Sequence, residues 1–319
     1  MVRKGRRDIH GILLVNKPEG LTSAAVVAII KRQFKLYKVG HAGTLDPIAT
    51  GVLPICINEG TKLAGLLSDN GKSYRTEMKL GVETDTQDRT GQIVAETDVT
   101  AGESEVREVL ESFIGKFDQL PPMFSAKKKD GQPLYKKARL GQEVERKAVP
   151  VEIKEMEIHK IEIPLVGVSV TVSKGFYIRT LCHDVGHKLL CGASMEKLVR
   201  TGHGNFKLED TVDLADVETM DIESLKEKII PLNSQDIDIP MLIVDQEVAL
   251  DLSYGRSITK AQAMEHCRFD ENSPANLFRA IDLNGEILAL VRARTDLAGI
   301  KSLRDTDFAF AIERGFSLK

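Results

Sequence analysis

Apolar and polar positions change period several times along the chain. Ile12–Val15 is a short continuous apolar run, the pattern of a buried strand, and Lys17-Pro18-Glu19-Gly20 behind it has turn chemistry. Val26, Val27, Ile30 and Phe34 fall on one helical face behind Thr22 or Ser23, either of which can cap a helix. Gly40–Gly51, rich in Gly, Thr and Pro, reads as a loop, and Val52–Ile57 resumes as a strand. Lys72–Leu80 alternates as a strand, whereas Val82–Gly91 is polar and turn-like. The spacing of Val106, Val109, Leu110, Phe113 and Phe117 predicts a helix over Val106–Phe117, ended by Pro121-Pro122. Val168, Val170 and Val172 predict a strand, Gly175 a turn, and Ile178, Leu181, Cys182, Val185 and Leu189 a second amphipathic helix. Beyond the acidic stretch Glu209–Pro240 the pattern becomes β-rich, and Asn284-Gly285 between two apolar runs marks a hairpin.

These elements predict an α/β body over residues 1–235 and a small β domain over 240–319, both within the usual domain size. With 42% hydrophobic and 29% charged residues, global disorder, collagen and coiled coil are excluded. The longest apolar stretches, such as Ala24–Ile30, fall far short of a membrane span. Gly11–Val15, behind the basic Arg3, Lys4, Arg6 and Arg7, is too short for a signal-peptide core, so the expected location is cytoplasmic. Cys56, Cys182, Cys191 and Cys267 form no C-x-x-C pair and are expected reduced and mostly buried.

The formal net charge of −3 hides an asymmetry. Residues 209–240 carry −8 and residues 241–319 carry −2, so residues 1–208 carry +7, and Met123–Ala148 alone carries +5. A local basic patch steers a polyanion even on a slightly acidic chain.

Four segments offer chemistry. Asp46 lies in His41-Ala42-Gly43-Thr44-Leu45-Asp46-Pro47-Ile48-Ala49-Thr50-Gly51, a loop otherwise small or apolar, where a capping or turn role is the simplest reading. A carboxylate there needs a cation to stay ionised, and arginine has the matching fork. Arg179, early in the second amphipathic helix and off its apolar stripe, is one candidate; spacing alone leaves other arginines open. His183 and His187 share a helix face and resemble half a zinc site, but no glutamate of an H-E-x-x-H pattern accompanies them. No metal is therefore expected. Asp85 and Asp88 are explained by turn chemistry. Tyr74, set between Ser73 and Arg75 with Lys72 alongside, suits stacking on a base beside phosphates, or equally a strand core. No P-loop, G-x-G-x-x-G or G-x-S-x-G is present.

Taken in order, these segments resemble the TruB family of tRNA pseudouridine synthases, bacterial type. The resemblance rests on Leu14-Val15-Asn16-Lys17-Pro18 with Thr22-Ser23, on His41–Gly51, and on Lys72-Ser73-Tyr74-Arg75 with Thr84-Asp85-Thr86 and Asp88. It continues through Pro121-Pro122-Met123-Phe124-Ser125-Ala126-Lys127, Leu134-Tyr135 with Ala138-Arg139, Ser173-Lys174-Gly175-Phe176-Tyr177-Ile178-Arg179-Thr180, and Leu198-Val199-Arg200-Thr201. It covers roughly residues 11–205.

The resemblance implies an α+β fold, a mixed β-sheet catalytic core with flanking helices plus a C-terminal PUA-like β-barrel domain. It implies isomerisation of a T-loop uridine (position 55) of tRNA to pseudouridine, with the base flipped out and no cofactor required. Asp46 matches the catalytic aspartate, Arg179 its partner and Tyr74 the tyrosine that stacks on the base. His41 matches a histidine packing within the T loop, and Leu198 an apolar pocket residue. Lys17, Lys127, Arg139, Lys174 and Tyr177 are expected substrate contacts, with 123–148 as an insertion closing on the tRNA T arm. A monomer is implied. The competing readings are a tRNA-binding or folding module without required turnover, a synthase for another RNA uridine, and a metal hydrolase built on His183 and His187.

Overall fold

The computed structural model describes residues 5–124, 128–129, 132–133, 144–270 and 273–318. In chain order the strands begin with β1 Gly11–Lys17, β2 Val39–His41, β3 Thr50–Ile57, β4 Lys72–Leu80, β5 Val82–Thr84, β6 Ile93–Glu96 and β7 Gly115–Gln119. They continue with β8 Lys128–Lys129, β9 Gln132–Pro133, β10 Val149–Glu162, β11 Leu165–Val172, β12 Ala193–His203, β13 Phe206–Lys207 and β14 Val212–Asp213. The C-terminal set is β15 Met241–Val244, β16 Ile258–Thr259, β17 Cys267–Arg268, β18 Leu277–Ile281, β19 Ile287–Ala293 and β20 Phe308–Gly315.

The main sheet runs β14-β1-β3-β12-β4-β11-β10-β7, with β2 added to β3 and β13 to β12. β1 pairs β14, and β3 pairs β12, in parallel; the other pairings are antiparallel. The unbroken apolar run of β1 is explained by burial on both faces. Leu13 and Val15 join Leu53, Ile55 and Ile57 in the core under the Ser23–Gln33 and Ile178–Lys188 helices. Ile12 and Leu14 join Val52 and Cys56 in a second cluster that reaches Leu232, Ile237, Ile239, Ile287 and Leu290. The C-terminal strands form a curled half-barrel in the order β16-β20-β19-β18-β15-β17, around its own core of Leu242, Val248, Phe278, Val291 and Phe310. The architecture is therefore α+β, with a PUA-like second sheet.

Two elements depart from the sequence pattern. The helix predicted over Val106–Phe117 spans Glu103–Glu111. Gly115 at φ +102° turns the chain, and Phe117 joins edge strand β7 opposite Val151. The spacing of Phe113 and Phe117 mimics helical period, while strand pairing to β10 decides the outcome. Val82–Gly91 is not all turn, since β5 pairs β6 as a two-stranded ribbon. The acidic stretch Glu209–Pro240 is itself folded. Leu214, Val217 and Leu225 of its two short helices are buried in the main core.

The remainder of that stretch is held by Arg279 of β18, which is 1% exposed. Its guanidinium donates to the carbonyls of Leu232, Ser234, Ile237 and Ile239. Burial lowers its pKa to about 10. No described helix is long and apolar enough to cross a membrane. All four cysteines are free thiols, with Cys56, Cys182 and Cys191 buried.

Candidate active site

The Asp46 loop leaves β2 and returns as β3, and buried side chains hold it through its backbone. Ser23 Oγ donates to the Leu45 carbonyl at 3.1 Å and accepts from the Leu45 N–H at 2.9 Å. The Gly43 N–H donates to Ser68 Oγ. Arg200, fully buried on β12, donates to the carbonyls of Val52 (2.6 Å), Gly43 (3.0 Å) and Thr44 (3.4 Å). The loop therefore closes over a single cation whose donors satisfy carbonyls on both its limbs.

Two glycines make this closure possible. Gly51 sits at φ +101°, and a Cβ there would lie 2.2 Å from the Arg200 carbonyl oxygen. Gly43 sits at φ +78°, where a Cβ would lie 2.8 Å from His203 Cε1. Only glycine combines this conformation with this approach.

Lys17 is fully buried, and its Nζ donates to the carbonyls of Pro18 (2.8 Å), Leu21 (2.7 Å) and Pro47 (3.3 Å). Its three donors are met inside the protein, behind the loop. Desolvation lowers its pKa to about 8, against the opposing pull of Asp46.

Arg179 meets Asp46 across 133 residues, its Nε donating to Oδ2 at 2.8 Å. Nη1 donates to the Thr86 carbonyl at 2.9 Å and Nη2 to the Phe124 carbonyl at 2.8 Å. The arginine side chain is 5% exposed and the aspartate 37%. Off the apolar stripe therefore does not mean solvent here, because the Asp46 loop and the 84–90 turn cover that side of the helix. A second carboxylate shares the cation, with Asp88 Oδ2 lying 3.8 Å from Arg179 Nε. The Asp88 Oδ1 accepts from Thr86 Oγ1, Thr90 N and Thr90 Oγ1. The turn role read for Asp88 is present, but the residue is also buried beside the cation; chain spacing gave no signal of that.

Tyr74 on β4 is buried, 7% exposed. It lies opposite Arg200 in the sheet, while Arg200 lies opposite Gly51 on β3. The exit of the Asp46 loop, Arg200 and Tyr74 thus form one row over three strands, about 10 Å across. Leu198, 7% exposed, sits two residues away on β12 opposite Thr76. His41 is half-buried at the loop entrance, with its Nδ1 buried and unpartnered. Desolvation and then Arg200 lower its pKa, so the ring is neutral near pH 7.

His203 is fully buried and held at about pKa 3, chiefly by desolvation and then by Arg200. Its Nε2 must donate to the Leu67 carbonyl at 2.7 Å, which leaves Nδ1 as a bare acceptor against Gly43. Lys174 lies at the surface in an ion pair with Asp69 at 3.1 Å. Tyr177 exchanges backbone hydrogen bonds with the Gln119 side chain at the helix entrance. Lys127 and Arg139, with most of the basic 123–148 segment, lie outside the described residues.

The mixed sheet thus presents a half-open aspartate against a buried arginine, with a buried tyrosine in the row at the loop's exit. The chain belongs to the TruB family of pseudouridylate synthases. Residues 31–178 match the family's N-terminal domain, and residues 179–235 match the tRNA pseudouridylate synthase B C-terminal domain. A tRNA pseudouridine synthase B of Syntrophotalea carbinolica is 42% identical over 83% of this chain and 87% of its own length. That of Clostridium kluyveri is 43% identical over 78% of this chain and 86% of its own length. Among solved structures, a Cbf5-Nop10-Gar1 complex matches at TM-score 0.76 and 26% identity, over 98% of this chain and 86% of the matched chain.

Proposed function

We propose that this protein isomerises a uridine in the T loop of tRNA (position 55) to pseudouridine. The relatives named tRNA pseudouridine synthase B support the tRNA substrate. The observation that carries the chemistry is the Asp46–Arg179 pair. A carboxylate 37% exposed is held by a cation 5% exposed, so Asp46 is fixed in place yet open to a ligand.

In the proposed reaction the base's N1–C1′ bond breaks and a C5–C1′ bond forms. N1 gains a proton and C5 loses one, so atoms and electrons balance within the nucleoside. No external group or electron carrier is required. Asp46 acts as the nucleophile, at C1′ or at C6, on a base flipped out of the T loop. Arg179 holds it aimed, and Tyr74 stacks on the base. Leu198 lines the pocket, and His41, neutral, packs in the space the base leaves. Lys174 and Tyr177, with Lys127 and Arg139 of the basic insertion, are the proposed RNA contacts. Residues 1–235 form the catalytic domain, and the C-terminal unit over 240–319 extends the footprint on a monomeric, cytoplasmic enzyme.

The test is incubation of an unmodified tRNA transcript with the purified protein, followed by pseudouridine mapping at nucleotide resolution. One new pseudouridine, in the T loop, is expected. Modification of another uridine overturns the site assignment. Tight binding without modification favours the binding-module reading.

A further inference from the structure

The Ile178–Lys188 helix that carries Arg179 presents His183 and His187 one turn apart, rings stacked at 4.1 Å with planes 28° apart. The sequence offers them no third ligand nearby, but the fold does. Glu83 of β5 comes from 100 residues upstream of His183 and places one oxygen, Oε1, 3.2 Å from both Nε2 atoms. Among the described residues this is the group whose ligand atoms converge as a metal site requires.

Asp184 Oδ1 lies 3.1 Å from His183 Nδ1, on the other ring nitrogen from the one that faces Glu83. A tetrahedral ion with bonds of about 2.0 Å separates its ligands by about 3.3 Å, close to the 3.2 Å from Glu83 Oε1 to each histidine. Asp184 then orients the ligating imidazole from behind, as carboxylates do for zinc histidines.

We propose that Glu83, His183 and His187 bind one divalent transition-metal ion of the zinc class, with water completing the coordination. Two imidazoles and one carboxylate favour zinc over magnesium or calcium. The His187 side chain is 55% exposed, so the ion enters from solvent. The site bridges β5 to the helix. The turn after β5 carries Thr86 and Asp88, which flank Arg179, and its Gln87 accepts a hydrogen bond from Thr180 at 2.9 Å. The bound ion is therefore a clamp that holds the Arg179 helix to its supporting turn, outside the chemistry itself.

The test strips the full-length protein with a chelator and titrates it with Co²⁺, read by visible absorbance, and with Zn²⁺, read by calorimetry. One equivalent is expected, with a raised melting temperature. His187→Ala, at an exposed position, and Glu83→Gln should each weaken binding at least about tenfold and abolish the thermal shift. Asp184→Asn, which keeps all three ligands, should weaken it about tenfold. Binding that these substitutions leave unchanged, or no saturable binding by the wild type, overturns the proposal and leaves the cluster as an ion pair.

Discussion

Arg179 spends one donor on Asp46 and two on main-chain carbonyls. Nε meets Asp46 Oδ2 at 2.8 Å while Nη1 and Nη2 meet Thr86 and Phe124. A guanidinium fixed at three points cannot swing, so the aspartate it holds cannot either. Arg179→Lys keeps the charge and loses the fork. Its ammonium cannot reach all three acceptors. Turnover should fall about 100-fold, roughly 2.7 kcal/mol of transition-state stabilisation, with tRNA affinity nearly unchanged. Single-turnover kinetics beside filter binding separate the two quantities.

Arg200 supports the loop without touching the reacting atoms in this arrangement. Its removal leaves the Val52 and Gly43 carbonyls without their donor in the interior. Arg200→Met should lower stability by about 3 kcal/mol and turnover by more than its effect on substrate affinity. Urea unfolding and a kcat against KM comparison check this. Equal loss of both kinetic quantities would contradict a positioning role.

Gly51 tests the close approach. Gly51→Ala combines positive φ with a Cβ 2.2 Å from the Arg200 carbonyl. It should cost about 3 kcal/mol or more. Gly255→Ala also has positive φ, +77°, but meets nothing within 4 Å, so only the strain of about 1 kcal/mol is expected. Melting temperatures of the two variants give the comparison.

His203 makes stability depend on pH. Its folded pKa of about 3 lies below the ordinary 6.5, so below pH 6.5 the unfolded chain binds a proton that the native protein refuses. Stability from this group is complete above pH 6.5 and falls as pH drops towards 3, by about 1.4 kcal/mol per unit. Between pH 7 and pH 5 the wild type should lose about 2 kcal/mol more than His203→Asn does. Urea denaturation at both values measures that difference, in which the titration of other groups cancels.

The Asp46 loop, the strand of Tyr74, the Arg179 helix and the Asn284-Gly285 hairpin were legible as elements because local pattern specifies them, whereas the roles of Asp46, Arg179 and Tyr74 came from the family resemblance. The chain hid what long-range packing decides. Nothing local marks Arg200 or Arg279 as buried, since their partners are carbonyls of distant segments. Nor does anything local mark Lys17 as buried, since the carbonyls of Pro18, Leu21 and Pro47 meet it only once the turn and loop have closed. Phe113 and Phe117 keep helical spacing although Gly115 has already turned the chain. His183 and His187 looked incomplete because Glu83 lies on another element. Asp88 shows the same limit: turn chemistry accounts for one oxygen, and only the fold reveals that the other faces Arg179.

The most direct test of the account is a comparison of wild type with Asp46→Asn, an isosteric change that keeps the side-chain volume and removes the charge. Both are incubated with an unmodified tRNA transcript under single-turnover conditions, with binding measured in parallel. The account predicts full conversion of the T-loop uridine by wild type and none by Asp46→Asn, at similar tRNA affinity. Conversion by Asp46→Asn at a rate near that of wild type would contradict the role of the Asp46 carboxylate.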